Sequence, residues 1–246
     1  PKELSEEICR LLSEENPLSV HGYTSAPGDL SARKAVAENL NERFGTNFGA
    51  ENLYLTCGAA ASLTISLSAV VEEGEEVIIF APYFPEYTVF IETAGGKPVS
   101  VPCKWPDFQM DFEKLSEVLN EKTSAVIINS PNNPSGAVFS EDSIKKLSSI
   151  LSEAEEKFGR KIYLISDEPY RELVYGKTEV PFVTKYYNDI LQGIEDGQVS
   201  PEMEKLLASA GEIADTPGNI YSLFNNADIT FPAAKDSNGK EYEVTH

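Results

Sequence analysis

Three short clusters of residues have the types and spacing to do chemistry, and each follows a predicted strand. The first is Cys57-Gly58-Ala59-Ala60-Ala61-Ser62, which opens a predicted helix. The free N–H groups and the dipole at such a helix start favour an anion such as a phosphate. A turn of small residues that only lets a helix pack closely explains the same pattern, so both interpretations stay open.

The second and third clusters place polar side chains after two further predicted strands. Residues 129–136 read Asn-Ser-Pro-Asn-Asn-Pro-Ser-Gly, a pattern that loop chemistry alone can also explain. Residues 166–170 read Ser-Asp-Glu-Pro-Tyr, which puts Asp167 at a strand end and a phenol three residues on. A helix cap is the alternative for this aspartate. Because open parallel sheets bind ligands beyond the carboxyl ends of their strands, we expect these clusters to line a site.

The elements that must position these clusters alternate along most of the chain. Short runs that are apolar on both faces, joined by helices, are typical of a parallel sheet covered on each side. The sequence therefore predicts an α/β fold, with a mostly parallel sheet between two helical layers. The predicted strands are 53–56, 77–80, 98–102, 125–129 and 162–166, and the predicted helices are 2–15, 30–44 with Asp29 as its cap, 59–71, 87–94, 112–120 and 141–157.

The pattern changes near residue 188. The rest of the chain carries eleven acidic residues against three lysines and no arginine. It predicts a helix over 200–210 and a hairpin over 229–244, folded about Asn238-Gly239. We therefore expect a large domain over residues 1–188, followed by an unrelated α+β tail over 189–246.

Composition narrows the classes of function. Twenty basic against forty acidic residues give a net charge of −20, which disfavours nucleic acid or an anionic membrane as partner. The longest apolar runs fall far short of the ~20 residues of a membrane-spanning helix. Three cysteines without a pairing pattern favour a reducing cytoplasm, and two histidines outside any zinc motif disfavour a metal site. The chain opens without Met or a leader, so we expect a fragment.

In this order and spacing, the clusters resemble the large domain of class I/II, aspartate-aminotransferase-like enzymes, which are pyridoxal-phosphate enzymes of fold type I. The resemblance covers roughly residues 1–188. It implies the cofactor pyridoxal 5'-phosphate, a homodimer, and transfer of an amino group from an amino acid to a 2-oxo acid. The motifs that carry it are His-Gly-Tyr-Thr-Ser-Ala-Pro-Gly at 21–28, Ala-Pro-Tyr-Phe-Pro-Glu-Tyr at 81–87, Asn-Asn-Pro-Ser-Gly at 132–136 and Asp-Glu-Pro-Tyr at 167–170.

The resemblance also implies which residues bind the cofactor's phosphate. They are Gly58, Ala59, Ala60 and Ala61. Tyr23 would reach the phosphate of the cofactor in the partner subunit.

The cofactor ring has its own predicted contacts, again by resemblance. Phe84 would stack on the pyridine, although a core aromatic is the alternative for this residue. Asn133 and Tyr170 would donate to the phenolic oxygen. Asp167 would face the pyridine nitrogen and keep it protonated, which makes the ring an electron sink.

The lysine that such an enzyme joins to its cofactor has no counterpart. The family presents this Schiff-base lysine in a Ser-x-Ser-Lys segment downstream of the aspartate. In that window lies only Lys205, in a helical context without serines, and Lys185 comes too early. No arginine follows Arg171 to bind a phosphate or a substrate carboxylate. We therefore assign no catalytic residue and expect an inactive chain, with a non-catalytic cofactor-binding or dimerisation module as the alternative.

The tail has a second likeness. Residues from about 199 onward, especially 206–212 and 219–232, resemble a non-catalytic stretch of oligoendopeptidase F. The likeness stops before the zinc-binding helix of that family, so it implies neither peptidase activity nor a metal ligand. Two partial families joined near residue 190 indicate a fused, misassembled or chimeric reading frame.

Overall fold

The structure is a computed structural model that describes residues 2–14, 22–174, 179–185, 234–235 and 241–242. The chain divides into two compact units, residues 1–57 and 58–246, which are described separately.

The described residues of the first unit form two α-helices, α1 (Lys2–Glu14) and α2 (Leu30–Phe44), and a short 3-10 helix, Ala50–Asn52. The predicted cap of α2 is confirmed, because the Asp29 carboxylate accepts hydrogen bonds from the N–H groups of Ser31 and Ala32. The predicted strand 53–56 is wrong. The Leu55 N–H donates to the Pro27 carbonyl at 3.0 Å and not to a neighbouring strand.

The second unit is built on a four-stranded, fully parallel sheet. Its strands are β1 (Glu76–Ala81), β2 (Lys97–Pro102), β3 (Thr123–Asn129) and β4 (Tyr163–Asp167), in the order β2-β1-β3-β4. The α-helices described in this unit are α3 (Ala59–Val70), α4 (Glu86–Thr93), α5 (Phe112–Val118) and α6 (Glu141–Phe158). The parallel α/β prediction is confirmed, and these bounds fall within two residues of those predicted.

Two apolar clusters cover the two faces of the sheet. Successive residues of a strand point to opposite faces, so Ile78 of β1 contributes to one cluster and Ile79 to the other. The first cluster includes Leu147 of α6, and the second includes Leu67 of α3. All seven residues of β3 are buried, because both of its faces are covered. This is the predicted arrangement of helices on both sides of a sheet.

Two short strands of the tail are described, β5 (Ala234–Lys235) and β6 (Glu241–Tyr242). They pair antiparallel, with Ala234 opposite Tyr242, a register that suits the predicted hairpin about Asn238-Gly239. The predicted helix 200–210 lies outside the described residues. Among the described residues, no helix has the length and apolar character needed to cross a membrane.

Replacement of a buried β3 side chain tests this packing. Ile127 is 2% exposed, so we expect Ile127→Ala to lower the free energy of unfolding by about 2–5 kcal/mol through lost burial and a cavity. The measurement is urea denaturation. Val89→Ala is the control, because Val89 is 56% exposed and its truncation should change stability by less than about 0.5 kcal/mol. Equal losses for the two variants would contradict the packing described.

Candidate functional site

A cavity of about 250 Å³ lies beyond the carboxyl ends of β1, β3 and β4. The structure brings six of the predicted site residues to its wall, namely Ala59, Ala60, Phe84, Asn133, Asp167 and Tyr170. They come from the start of α3 and from the segments that follow the three strands. A parallel sheet therefore collects into one cavity residues that are far apart in the sequence.

Asp167 is the last residue of β4 and is half-buried. Its Oδ2 accepts a hydrogen bond of 2.5 Å from the hydroxyl of Tyr87, which is 2% exposed. Among the described residues, none donates to the other carboxylate oxygen, Oδ1. No helix begins in the residues described after Asp167, up to 174, so the alternative role as a helix cap does not apply.

The electrostatics of this pair are set by burial. Burial raises the pKa of the Asp167 carboxyl, and the hydrogen bond from Tyr87 opposes this rise only in part. The pKa of Tyr87 is raised strongly by burial, by the hydrogen bond to Asp167 and by the charges of Asp167 and Tyr170. Tyr87 therefore stays a protonated donor, and Asp167 is the group of this pair that titrates.

Asn133 and Tyr170 meet at the cavity wall. The Asn133 side-chain amide donates to the Tyr170 hydroxyl at 3.4 Å, a long hydrogen bond. Of the two asparagines, Asn132 is the one that stabilises the turn. Its Oδ1 accepts hydrogen bonds from the N–H and the hydroxyl of Ser135. The second asparagine is thereby left to face the cavity, where its donors and the phenol converge.

The turn that carries Tyr170 is fixed by its neighbours. Glu168 accepts a hydrogen bond of 2.8 Å from the Ser166 hydroxyl and forms an ion pair with Arg171. The Arg171 guanidinium also donates to the Val180 carbonyl at 3.0 Å. These contacts tie the segment after β4 to residues 179–185.

The start of α3 supplies backbone donors. Gly58 precedes the helix with φ 109°, a conformation that favours glycine. Among the described residues, no heavy atom lies within 4 Å of the position that a Cβ would occupy there, so close packing of these residues does not explain this glycine. The first N–H groups of α3, at Ala59, Ala60 and Ala61, have no acceptor within the helix and can bind an anion.

Phe84 belongs both to the apolar core and to the cavity wall. Its ring packs against the second apolar cluster and also lines the cavity, so the core and the site interpretations both apply. It meets Tyr87 edge to face, with ring centroids 5.7 Å apart.

The remaining predicted residues lie elsewhere. Gly58 and Ala61 adjoin the cavity in sequence without lining it, and Tyr23 is fully exposed in the first unit. Lys185 ends a short 3-10 turn, Val183–Lys185, and Lys205 lies outside the described residues. Within the described part of the chain, no group of three or more His, Cys, Asp or Glu side chains is placed to hold a metal ion.

Sequence reasoning missed six residues of the wall, and two of them, Tyr87 and Asn129, hydrogen-bond to Asp167. Tyr87 belongs to the motif at 81–87, where only Phe84 received a role. Asn129 opens the second cluster, for which the pattern predicts only a rigid turn. The position of Asn129 in the sequence could have indicated its role, since a polar residue at the end of a wholly buried strand lies at the edge of the sheet where ligands bind. The other lining residues not predicted are Leu63, Glu86, Phe90 and Pro169.

These features fit one kind of group. A carboxylate with an unengaged oxygen suits a protonated ring nitrogen, two converging donors suit a phenolate oxygen, and the helix start suits a phosphate. An aromatic side chain beside them suits a flat ring.

Residues 3–193 match the protein family described as Aminotransferase class I and II. The chain belongs to this family. Its enzymes depend on pyridoxal 5'-phosphate, the cofactor implied by the resemblance. A second family, described as Oligopeptidase F, matches residues 161–231 and so overlaps the first match. The boundary predicted near residue 188 stays a prediction.

Individual proteins similar to this chain are also named as aminotransferases or transaminases. A probable aspartate/prephenate aminotransferase of Aquifex aeolicus is 37% identical over 63% of this chain and 38% of its own length. A probable kynurenine–oxoglutarate transaminase of Saccharomyces cerevisiae is 31% identical, over 88% of this chain and 48% of its own. The chain thus spans less than half the length of these two relatives.

Solved aminotransferase structures share the fold. The crystal structure of an amino transferase from Eubacterium rectale is 44% identical, with a TM-score of 0.78 over 88% of this chain and 58% of that one. Aspartate aminotransferase from Thermus thermophilus, at 24% identity and a TM-score of 0.71, supports the fold alone.

The raised pKa of Asp167 predicts a pH dependence of stability. Because the ionised form is disfavoured in the folded protein, the free energy of unfolding should fall as pH rises from the ordinary aspartate pKa through the folded-state value. Asp167→Asn removes this fall. We therefore expect the variant to gain stability relative to the parent over that interval, with the difference then levelling off.

Urea denaturation of the cofactor-free chain at a series of pH values checks this expectation. Asp107→Asn, the same change at an exposed position, controls for the loss of a negative charge. A difference for Asp167→Asn that stays constant, or that favours the parent as pH rises, would be inconsistent with a desolvated carboxyl.

Proposed function

We propose that this chain binds pyridoxal phosphate in the cavity at the ends of β1, β3 and β4, as the cofactor-binding part of an aminotransferase. The observation that carries the proposal is Asp167, a desolvated carboxylate fixed through one oxygen by Tyr87. A charge is costly to hold there without a partner, and a protonated ring nitrogen is such a partner. The family membership supports the choice of ring.

The other wall residues take the roles that the resemblance implies. Asn133 and Tyr170 donate to the phenolic oxygen, and the aromatic face of Phe84 lies against the ring. The N–H groups at the start of α3 hold the phosphate. When bound, the cofactor supplies a protonated pyridine that withdraws electrons from the α-carbon of an amino acid.

The proposed substrates are an amino acid and a 2-oxo acid, which exchange an amino group. The relatives' names, aspartate/prephenate aminotransferase and kynurenine–oxoglutarate transaminase, support this class. We further propose that the chain, as a homodimer, binds its cofactor without a covalent bond. No Ser-x-Ser-Lys segment stands in its sequence, so it has no lysine in the family's context to join the cofactor or to carry the α-proton.

An absorbance titration with pyridoxal phosphate tests the proposal. We expect saturable binding, weakened about 10- to 100-fold by Asp167→Ala, the range expected when a hydrogen bond to a charged group is lost. Asp107→Ala, at an exposed position outside the cavity, should bind like the parent. Absence of saturation in the parent chain would contradict the proposal.

Borohydride treatment of the loaded chain, followed by peptide mapping, tests the covalent bond separately. We expect no single lysine to be labelled. Label at one lysine that is lost in Asp167→Ala would contradict non-covalent binding and identify the missing catalytic residue.

A second candidate function is a non-catalytic module that dimerises. The extent of the two matches favours this alternative, because residues 161–193 match both families and the aminotransferase match ends at 193, before the stretch in which the resemblance expects the lysine segment. Sedimentation of the chain with and without pyridoxal phosphate separates the two. A dimer that forms equally well without saturable cofactor binding favours the module.

A further inference from the structure

Asn129 joins the two polar segments of the cavity wall through one side chain. It is the last residue of β3 and only 3% exposed. Its Nδ2 donates to the Asp167 carbonyl at 2.7 Å, and its Oδ1 accepts from the Asn133 N–H at 2.6 Å. One amide therefore holds the end of β4 and the turn after β3 at a fixed separation.

The sheet register explains why this position can do so. Asn129 is paired with Asp167 in the parallel ladder between β3 and β4. Its side chain thus starts beside the aspartate and needs to reach only one carbonyl and one N–H.

An asparagine is well suited to this bridge. A carboxamide carries a donor and an acceptor on one rigid plane, whereas an ionised aspartate only accepts and a leucine does neither. Both partners of the bridge are backbone groups. Their positions therefore fix the Cα atoms from which the Asp167 and Asn133 side chains extend into the cavity.

We propose that Asn129 is a positioning residue that sets the separation of Asp167 from Asn133, so that both side chains reach the same ring. This inference rests on the proposed function. The two side chains act at different atoms, the ring nitrogen and the phenolic oxygen, and a rigid ring accepts only a narrow range of separations. Asn129 holds the backbone of Asp167, and Tyr87 fixes the carboxylate of the same residue.

Hydrogen exchange in the cofactor-free chain tests the bridge itself. Asn129→Leu removes the acceptor of the Asn133 N–H, so exchange at that amide should accelerate. Asn129→Asp keeps an acceptor, so exchange there should remain slow. An unchanged exchange rate in Asn129→Leu would overturn the inference whether or not cofactor binds.

A double-mutant cycle tests positioning against a merely structural role. Asn129→Leu, which removes both bridging hydrogen bonds without adding a charge beside Asp167, should weaken pyridoxal phosphate binding about tenfold, the loss expected for one misplaced hydrogen bond. In the Asp167→Ala background the same change should have little effect on affinity, because no carboxylate remains to be positioned. Its effect on urea stability should be the same in both backgrounds.

The control is Asn120→Leu. Asn120 donates to Glu76 and to the Val118 carbonyl before β3 begins, so this variant should lose stability and keep its cofactor affinity. Additive affinity losses in the cycle would overturn the positioning role, as would a loss of affinity in the control. Failure of the parent chain to bind cofactor would instead overturn the proposed function, and this inference with it.

Discussion

The parallel pairing of β3 with β4 is the constraint on which the cavity depends. It sets Asn129 beside Asp167 and delivers both at the same edge of the sheet. Side chains alternate along a strand, so a slip of one residue would turn Asp167 toward the other face. The apolar residues of β3, buried on both faces, hold this register because a slip would also exchange the two apolar clusters. The same register of β3 against β4 therefore satisfies both the packing of the core and the placement of the polar residues in the cavity wall.

The site is built at the expense of stability. A carboxyl group whose pKa is raised by burial costs folding free energy when it ionises, and the hydrogen bond from Tyr87 offsets only part of that cost. The start of α3 likewise leaves N–H groups without intrahelical acceptors. A ligand that has both a positive nitrogen and an anionic phosphate would offset both costs. Its nitrogen would pair with the carboxylate, and its phosphate would accept from the N–H groups. The same reasoning makes Tyr87 a fixed donor, since its own pKa is raised too.

The sequence predicted the elements between residues 59 and 167 well, because buried strands and amphipathic helices leave strong local patterns. It failed at 53–56, where an apolar run hydrogen-bonds to Pro27 and no strand forms; local pattern does not reveal that partner. Motif resemblance pointed to Asp167 and Asn133, both of which line the cavity. It missed Tyr87 and Asn129, because their contacts join segments 80 and 38 residues apart and depend on tertiary structure.

We propose that Asp167 holds a protonated ring nitrogen, and the cavity's other contacts depend on this one. The most direct measurement is the ¹⁵N NMR shift of pyridoxal phosphate labelled at that nitrogen, bound to the parent chain and to Asp167→Asn, over a range of pH. We predict that the nitrogen bound to the parent keeps its proton to higher pH than in free cofactor, and that the variant loses this effect. A bound nitrogen that titrates as in solution, or that behaves alike in both proteins, would contradict the claim.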